Sequence, residues 1–378
     1  MLTTHWHGLI LPGAADGGPR QLIQPGATWT AEFNAAQPAA TLWYHPHPHG
    51  ETARLVYMGL AGLFIVDDDN PVSPQLPHQY GVDDIPLILQ DRDLPHGQLR
   101  YRPNMMDVMS GMTGETLLVN GAIEPSLEVP ASLVRFRILN ASNARIYHLQ
   151  LSDGNSLTQI ASDGGLLTTP NPVKQLDLSP AERAEVLIDF SHLRSGEAVS
   201  IVSDEFNVLT CRVKAGGLDQ PKLPGTLAEV PRLTERPGMV HRSFDLQMSG
   251  MGMTINGRQM DLNRIDAVVR LHDTEIWTIT NAAGGMMGGR GMMMGGGMMN
   301  GMGNIRHTFH VHGVQFQVLD RNGQPPNAGE QGWKDTIALA PGERIRLIIS
   351  FTQPGIFMYH CHVLEHEDAG MMGQFEVR

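Results

Sequence analysis

Cysteine and positive charge are scarce in this sequence. Only two cysteines, Cys211 and Cys361, occur among 378 residues, which is too few for a framework of disulfides. Lysine and arginine number 27 against 39 acidic residues, and the net charge of −12 disfavours binding to the polyanionic backbone of nucleic acids. No run of about 18 apolar residues is present, so the sequence offers no membrane-spanning helix.

A recognisable signal peptide is also missing. Met1 is followed at once by Leu2-Thr3-Thr4-His5-Trp6-His7-Gly8, which has the character of a strand interior. Neither the charged region nor the apolar stretch of a signal peptide precedes it. We therefore expect the first domain to lack its leading strands.

The pattern of the rest of the chain predicts an all-β protein. Short runs rich in Val, Ile, Leu, Thr and Phe recur between Gly, Pro, Asn and Asp, as in strands joined by turns. Arg135 and Arg137 alternate with apolar residues, which predicts a strand with one solvated face. Short helical turns are expected near 50–60 and 364–370. Clear strand candidates are residues 62–66, 85–89, 133–139 and 344–349.

Two changes in composition divide the chain into three predicted domains. The acidic segment 67–71 and the Pro- and Gly-rich segment 216–237 are typical of domain boundaries. The resulting domains are 1–72, 73–225 and 226–378. Because a β-sandwich usually needs about 100 residues, the first domain is predicted to be truncated at its N-terminal side. An unpaired sheet edge in that domain predicts self-association.

Four pairs of histidines are separated by a single residue. In a strand, residues i and i+2 face the same side, so each pair can present two imidazoles to one metal site. One such pair arises easily by chance, but two pairs near each end of the chain indicate metal binding. The pairs are His5/His7, His45/His47, His310/His312 and His360/His362.

Cys361 has a histidine on each side, and strand alternation turns its side chain away from both. We expect Cys361 to bind one metal and the flanking His360 and His362 to bind another. The three residues are joined covalently, so an electron accepted at Cys361 can pass to the second site through peptide bonds. Eight paired histidines suit three metal ions there, and four redox-active ions together can deliver four electrons to O₂.

Further metal donors near Cys361 complete the site that contains the cysteine. His366 and Met371 follow on a loop. His307 precedes His310 by three residues, an odd spacing that turns it to the other face of the strand. Two histidines, one cysteine and a weak axial methionine are the ligand set that is diagnostic of blue copper.

Four stretches of the chain match a known family: His5-Trp6-His7-Gly8, Trp43-Tyr44-His45-Pro46-His47, His307-Thr308-Phe309-His310-Val311-His312-Gly313 and the run from His360 to Met371. Through them the sequence resembles the three-domain multicopper oxidases along essentially its whole length. Within that family it is most similar to the bacterial periplasmic copper-efflux oxidases and the bacterial laccases. The resemblance implies three cupredoxin-like, Greek-key β-sandwich domains and a periplasmic or secreted location.

The resemblance also implies four copper ions of three types. A type 2 copper would be bound by His5 and His310. A type 1 copper would be bound by His307, Cys361, His366 and Met371. The pair of type 3 coppers would be bound by His7, His45, His47, His312, His360 and His362.

Two acidic residues match the positions that supply protons in this family. Reduction of O₂ to water consumes protons, so a buried copper cluster needs an acid nearby. Asp16 follows the first histidine pair on a Gly-rich turn, and Glu367 follows His366. The alternatives are that Asp16 only shapes the turn and that Glu367 is a surface charge.

Methionine is concentrated in the low-complexity segment 284–303, where the many glycines indicate a loop. Thioether sulfur is soft and prefers Cu(I). We expect the segment to gather cuprous ions beside the type 1 site. The alternative is a loop whose composition is accidental. The candidate Cu(I) ligands are Met286, Met287, Met292, Met293, Met294, Met298, Met299 and Met302.

Three functions remain open on the sequence alone. The leading interpretation is an enzyme that oxidises Cu(I), and phenolic or aromatic donors, at the type 1 copper while O₂ is reduced to water at the other three coppers. A general laccase without a cuprous oxidase role is the close alternative. A resistance protein that only sequesters copper belongs to a different class, but sequestration does not require a cysteine joined to two histidines. The expected partners are therefore O₂ and small reducing donors.

Overall fold

The computed structural model describes residues 1–216, 222–249, 252–282 and 305–378. Most ordered elements in these ranges are strands, which confirms the predicted all-β class. Short helices begin at Thr52 and Leu364, within the predicted ranges, and an unpredicted helix begins at Met105. No helix of the described ranges is long and apolar enough to cross a lipid bilayer.

The first part of the chain forms one sheet and one short helix. Its elements are β1 (His5–His7), β2 (Ala40–His45), α1 (Thr52–Tyr57) and β3 (Gly62–Val66). The strand order is β1-β2-β3, and the antiparallel pairing of β1 with β2 sets His5 opposite His45. Self-association through an outer strand of this sheet stays a prediction.

The middle part of the chain contains two sheets packed around one apolar core. The elements are β4 (Asp84–Arg92), α2 (Met105–Ser110), β5 (Thr116–Val119), β6 (Ala122–Ile123), β7 (Ser126–Val129), β8 (Leu133–Asn140), β9 (Tyr147–Leu151), β10 (Leu157–Ser162), β11 (Gly165–Val173), β12 (Leu176–Leu178), β13 (Arg183–Asp189), β14 (Ala198–Ser203) and β15 (Phe206–Val213). The sheet orders are β11-β10-β13-β8-β4-β5-β6 and β12-β9-β14-β15-β7.

The last part also contains two sheets around an apolar core. Its elements are β16 (His241–Ser249), β17 (Gly252–Ile255), β18 (Ala267–Val269), β19 (Thr274–Asn281), β20 (His307–Val311), β21 (Phe316–Arg321), β22 (Thr336–Leu339), β23 (Arg344–Ser350), β24 (Gly355–Cys361), α3 (Leu364–Asp368) and β25 (Met372–Val377). The sheet orders are β17-β16-β19-β23-β21 and β18-β25-β24-β20-β22.

Two segments without strands separate the three parts. One lies between β3 and β4, and the other, among the described residues, lies between β15 and β16. The predicted domain boundaries near residues 72 and 225 fall in these segments and remain predictions.

The prediction that β8 has one solvated face is wrong. Arg135 and Arg137 are both buried, and both pair with Glu185 of β13. Thr41 of β2 donates to Glu185 Oε1 at 2.7 Å, and Arg137 also pairs with Asp84 at 2.8 Å. The first sheet covers this face of the middle part, so the charges that alternation assigned to water form buried ion pairs within the middle part, where Thr41 of the first sheet contacts them.

The pairing of β20 with β24 separates two kinds of side chain. Phe309 lies opposite Cys361, and both belong to the apolar core of the last part. His310 lies opposite His360, and alternation turns these rings to the other face. The register therefore directs the cysteine and the histidines to different sites.

Candidate metal centre

Three histidines from different strands and loops bring their Nε2 atoms together. His360 Nε2 lies 3.2 Å from His47 Nε2 and 3.1 Å from His312 Nε2. Nitrogens bound to one ion at about 2.0–2.1 Å stand about 3.3 Å apart when the angle at the ion is tetrahedral. The spacing of His47, His312 and His360 therefore fits three ligands of one metal, and all three rings are buried.

A second group of histidines lies beside the first. The ring centroids of His7, His45 and His362 are 5.2–5.6 Å apart. Nδ1 of His7, Nε2 of His45 and both ring nitrogens of His362 are buried without a hydrogen-bond partner. The indole of Trp43 stacks on His45 at a centroid distance of 4.3 Å and closes one side of the group.

His5 and His310 complete the cluster of eight histidines. Their ring centroids are 5.8 Å apart, and Nε2 of each is buried without a hydrogen-bond partner. The ring of His5 stacks on His312 at 3.7 Å, and the ring of His310 stacks on His7 at 3.6 Å. The histidines of the first and last parts are thus interleaved at one interface.

Asp16 fixes two rings of the cluster. His5 donates from Nδ1 to the Asp16 carbonyl oxygen at 3.0 Å, and His312 donates from Nδ1 to Asp16 Oδ2 at 2.8 Å. The carboxylate is buried, and Oδ1 has no hydrogen-bond partner. Asp16 therefore does more than shape a turn: it holds Nε2 of both rings toward the centre of the cluster.

Glu367 is fully buried and faces the histidines, so it is not a surface charge. Its Oε2 lies 3.1 Å from His360 Nδ1, and its Oε1 lies 3.6 Å from His47 Nδ1. Burial alone would raise the pKa of Glu367, but the two imidazoles lower it well below its ordinary value. The group is thus an ionised carboxylate, a proton acceptor that lies one ring away from the Nε2 atoms.

The sulfur of Cys361 lies in a separate group of donors. Cys361 Sγ is 3.4 Å from His307 Nδ1 and 3.7 Å from His366 Nδ1, and the two Nδ1 atoms are 3.2 Å apart. Burial raises the pKa of the Cys361 thiol to about 12 and lowers the pKa of His307 to about 3. A bound cation would replace the thiol proton, since the thiolate is the metal ligand.

The surroundings of this group are apolar and come from two parts of the chain. Met371 is fully buried in the same core as Cys361, and its carbonyl oxygen accepts from the Cys361 N–H at 3.0 Å. His366 donates from Nε2 to the carbonyl oxygen of Met109 in α2 at 3.0 Å. That bond leaves Nδ1 of His366 free to face the sulfur.

Copper fits both groups of donors. The buried nitrogens without partners would each be costly in a metal-free protein, and imidazole is a suitable ligand for copper. Two imidazoles around a thiolate, with a methionine in the same core, are the donors of a blue-copper site. The sequence therefore predicted donors that the fold does bring together in two groups.

Asp335 and Arg183 are site residues that sequence reasoning missed. His310 donates from Nδ1 to the Asp335 carbonyl oxygen at 2.8 Å, and His7 Nε2 lies 3.0 Å from Asp335 Oδ1. Arg183 forms two hydrogen bonds with the same carboxylate at 2.8 and 2.5 Å. No motif marks these residues, and their contacts join positions far apart in the sequence.

One other prediction and one further histidine concern the edges of the site. The Met-rich segment 284–303, with all eight candidate Cu(I) ligands, lies outside the described residues. His49, which extends the second histidine pair, is exposed and does not join the cluster.

Known proteins resemble this chain along most of its length. Family models described as multicopper oxidase match residues 1–71 and 233–378. The multicopper oxidase mco of Staphylococcus haemolyticus is 39% identical over 375 residues, which are 99% of this chain and 76% of that protein. The cell division protein FtsP of Escherichia coli is 35% identical over 397 residues, with 98% and 77% covered. A laccase from Pediococcus acidilactici has a TM-score of 0.90 at 39% identity, covering 100% of this chain and 78% of that chain.

The cupredoxin-like sheets and the family match together place the chain in a class of protein, the copper oxidoreductases. The chain belongs to the multicopper oxidase family. This confirms the predicted family, fold class and use of copper. Because one relative is named for cell division, the particular reaction has to be argued from the donors of this chain.

The buried histidines predict acid sensitivity of the metal-free protein. Burial lowers the pKa of His47 and of His366 to about 4, whereas an unfolded chain protonates histidine near pH 6.5. Between these values the unfolded state binds more protons, so the free energy of unfolding falls as pH falls. Each such histidine contributes about 1.4 kcal/mol per pH unit.

Denaturant unfolding of metal-free protein at pH 7, 6 and 5 measures this slope. His366→Leu should reduce the slope by about half of this 1.4 kcal/mol per pH unit between pH 7 and 6 and by nearly all of it between pH 6 and 5, since the removed group titrates near pH 6.5 in the unfolded chain. A stability that does not change between pH 7 and 5 would contradict the burial of neutral rings.

Proposed function

We propose that the chain binds four copper ions and couples one-electron oxidation of a donor to the four-electron reduction of O₂ to water. The observation that carries this proposal is the position of Cys361. Its sulfur faces His307 and His366, while its neighbours in sequence, His360 and His362, face the histidine cluster. Two groups of metal donors are thus linked by consecutive peptide bonds, which storage of copper would not require.

The donors support a division into three kinds of copper site. His5 and His310 are proposed for type 2 copper. His307, Cys361, His366 and Met371 are proposed for type 1 copper. The type 3 pair would use His47, His312 and His360 for one ion and His7, His45 and His362 for the other. This division is supported by the close Nε2 atoms of the first trio and the free nitrogens of the second.

Bound copper would supply the one-electron and O₂ chemistry that side chains lack. The protein would exclude water from the Cys361 sulfur, since Cys361, Met371 and Phe309 are fully buried. It would also keep the donor nitrogens of the cluster rings deprotonated, because Nδ1 of His5 and His310 is already engaged with carbonyl oxygens. The Cys361 sulfur would therefore already be dry, and the donor nitrogens of the rings deprotonated, in the metal-free protein.

We propose that Glu367 and Asp16 move protons to the cluster. Both carboxylates are buried, both contact ligand histidines, and both have oxygens without an assigned hydrogen bond. A group that delivers a proton needs such a free oxygen close to the reacting centre. Of the two, Glu367 lies between His47 and His360 and is the simpler one to test.

Glu367→Gln should slow O₂ reduction at saturating donor by roughly a hundredfold or more, because the amide keeps the shape but cannot deliver a proton. Copper content should stay unchanged, since Glu367 is not a ligand. Glu365→Gln is the matched control: Glu365 is equally buried on α3 but binds Asn143, Tyr101 and the Met112 N–H instead of ligand rings. Equal O₂ consumption by the parent and Glu367→Gln would remove Glu367 from the proton path.

We further propose Cu(I) as the reducing donor, with phenolic compounds as the alternative. The support is chemical: eight thioethers in residues 286–302 precede His307, and thioether sulfur selects Cu(I). A periplasmic or secreted location, as the resemblance to copper-efflux oxidases implies, is part of this proposal.

Replacing the eight methionines by leucine tests the donor. The apparent KM for Cu(I) should rise roughly tenfold, equivalent to about 1.4 kcal/mol of lost binding. The KM for a phenol should stay the same, because leucine preserves size and apolar character. Met105→Leu with Met106→Leu is the control, since these exposed methionines of α2 lie outside the segment. An unchanged KM for Cu(I) would favour a general laccase.

A further inference from the structure

His7 is turned round relative to other rings of the cluster. His5, His45 and His310 donate from Nδ1 to backbone carbonyl oxygens and leave Nε2 without a partner. His7 instead has Nε2 3.0 Å from Asp335 Oδ1, and its Nδ1 is buried without a partner. The contact with Asp335 therefore decides which nitrogen of His7 can bind a metal.

Arg183 holds the carboxylate of Asp335 in place. Its guanidinium donates to both carboxylate oxygens, at 2.8 and 2.5 Å. The remaining N–H groups donate to the carbonyl oxygens of Ala181, Thr41 and Asp163 at 3.0–3.1 Å. All five donors of Arg183 are therefore satisfied, and both side chains are fully buried. A bidentate pair of this kind fixes the orientation as well as the position of the carboxylate.

The residue after His7 leaves room for this ion pair. Gly8 has a φ of +89°, and a Cβ atom there would lie 2.6 Å from Asp335 Oδ2 and 2.8 Å from a terminal nitrogen of Arg183. A side chain at this position would push the ion pair away from the strand that carries His7. The absence of a side chain at Gly8 thus leaves space for the ion pair of Arg183 and Asp335.

Asp16 has no such support, although it holds His5 and His312 in the same manner. Among the residues that the structure describes, no lysine or arginine forms an ion pair with Asp16. Lys334, next to Asp335 in sequence, pairs with two other carboxylates. Of these two aspartates, Asp335 is therefore the one held by a bidentate arginine, and the orientation of its carboxylate is more tightly fixed than that of Asp16.

We propose that Arg183 is a positioning residue for the copper cluster: by clamping Asp335 it keeps the His7 proton on Nε2 and presents Nδ1 as the ligand atom. Arg183 belongs to the middle part of the chain, which supplies no ligand histidine. Through Asp335 of the last part, Arg183 thereby selects the ligand atom of His7 in the first part. The proposal rests on the proposed function only in naming His7 as a copper ligand.

The tautomer of His7 can be measured without copper. In metal-free protein labelled with ¹⁵N-histidine, long-range ¹H–¹⁵N correlation distinguishes a ring protonated on Nε2 from one protonated on Nδ1. The signal of His7 is assigned by its loss in His7→Gln. We expect a single Nε2–H form in the parent. A parent ring with its proton on Nδ1 would overturn the proposal, whatever reaction the enzyme catalyses.

Arg183→Lys tests the contribution of the guanidinium. The ammonium keeps the charge but loses the two-pronged contact, so a population with the proton on Nδ1 should appear. Arg137→Lys is the matched control, because Arg137 is also buried and paired with carboxylates, but within the described ranges its partners Asp84 and Glu185 form no ion pair with a ligand histidine. Retention of the pure Nε2–H form in folded Arg183→Lys, or an equal change in Arg137→Lys, would contradict the proposal.

A second variant covers the case in which Arg183→Lys fails to fold. The double variant Arg183→Met, Asp335→Leu removes both charges together, which proteins often tolerate better than a single unpaired charge. Thr336 Oγ1, 3.0 Å from His7 Nε2, is then its remaining partner. The Nε2–H form should again lose its dominance, and an unchanged tautomer would contradict the proposal.

Copper loading provides a second readout. Copper affinity of the cluster should fall roughly 10- to 100-fold when Arg183 is replaced, as for other residues that orient a metal ligand. The blue absorption from Cys361 should persist, because Arg183 does not contact that group. A parallel loss of blue colour and cluster copper would indicate general unfolding and contradict a specific role.

Discussion

The structure depends on burying neutral imidazole rings whose free nitrogens face one another. His47, His312 and His360 hold their Nε2 atoms 3.1–3.2 Å apart, a distance at which charged rings would repel strongly. Burial lowers the pKa of His312 well below its ordinary value, and so do the neighbouring rings. The arrangement is stable only if the rings stay neutral, and we propose a shared metal ion as the partner that satisfies their lone pairs.

Each donor group is completed by residues from the part of the chain that provides no ligand. Arg183 fixes Asp335 behind His7, and the carbonyl oxygen of Met109 fixes the ring of His366. Glu365 of α3 accepts from Asn143, so the helix that carries His366 is also tied to the middle part. The middle part therefore acts as a frame that sets ring orientation at both groups.

The local pattern of the sequence predicted the donors well, because period-two alternation is a property of single strands. Cys361 and its flanking histidines do face different sites, as alternation requires. The same rule failed for Arg135, because a covering sheet decides whether a polar face is solvated. Asp335 and Arg183 escaped prediction, since their contacts depend on how three separate sets of strands meet.

Copper content and blue absorption of three proteins test the central claim most directly. The parent should bind four copper ions per chain and absorb strongly from thiolate-to-copper charge transfer. Cys361→Ser should bind three and lose the colour, whereas Cys211→Ser should retain both, because Cys211 is buried in the middle part away from the donors. A blue Cys361→Ser protein, or a parent that binds a single copper, would contradict the account of two linked copper sites.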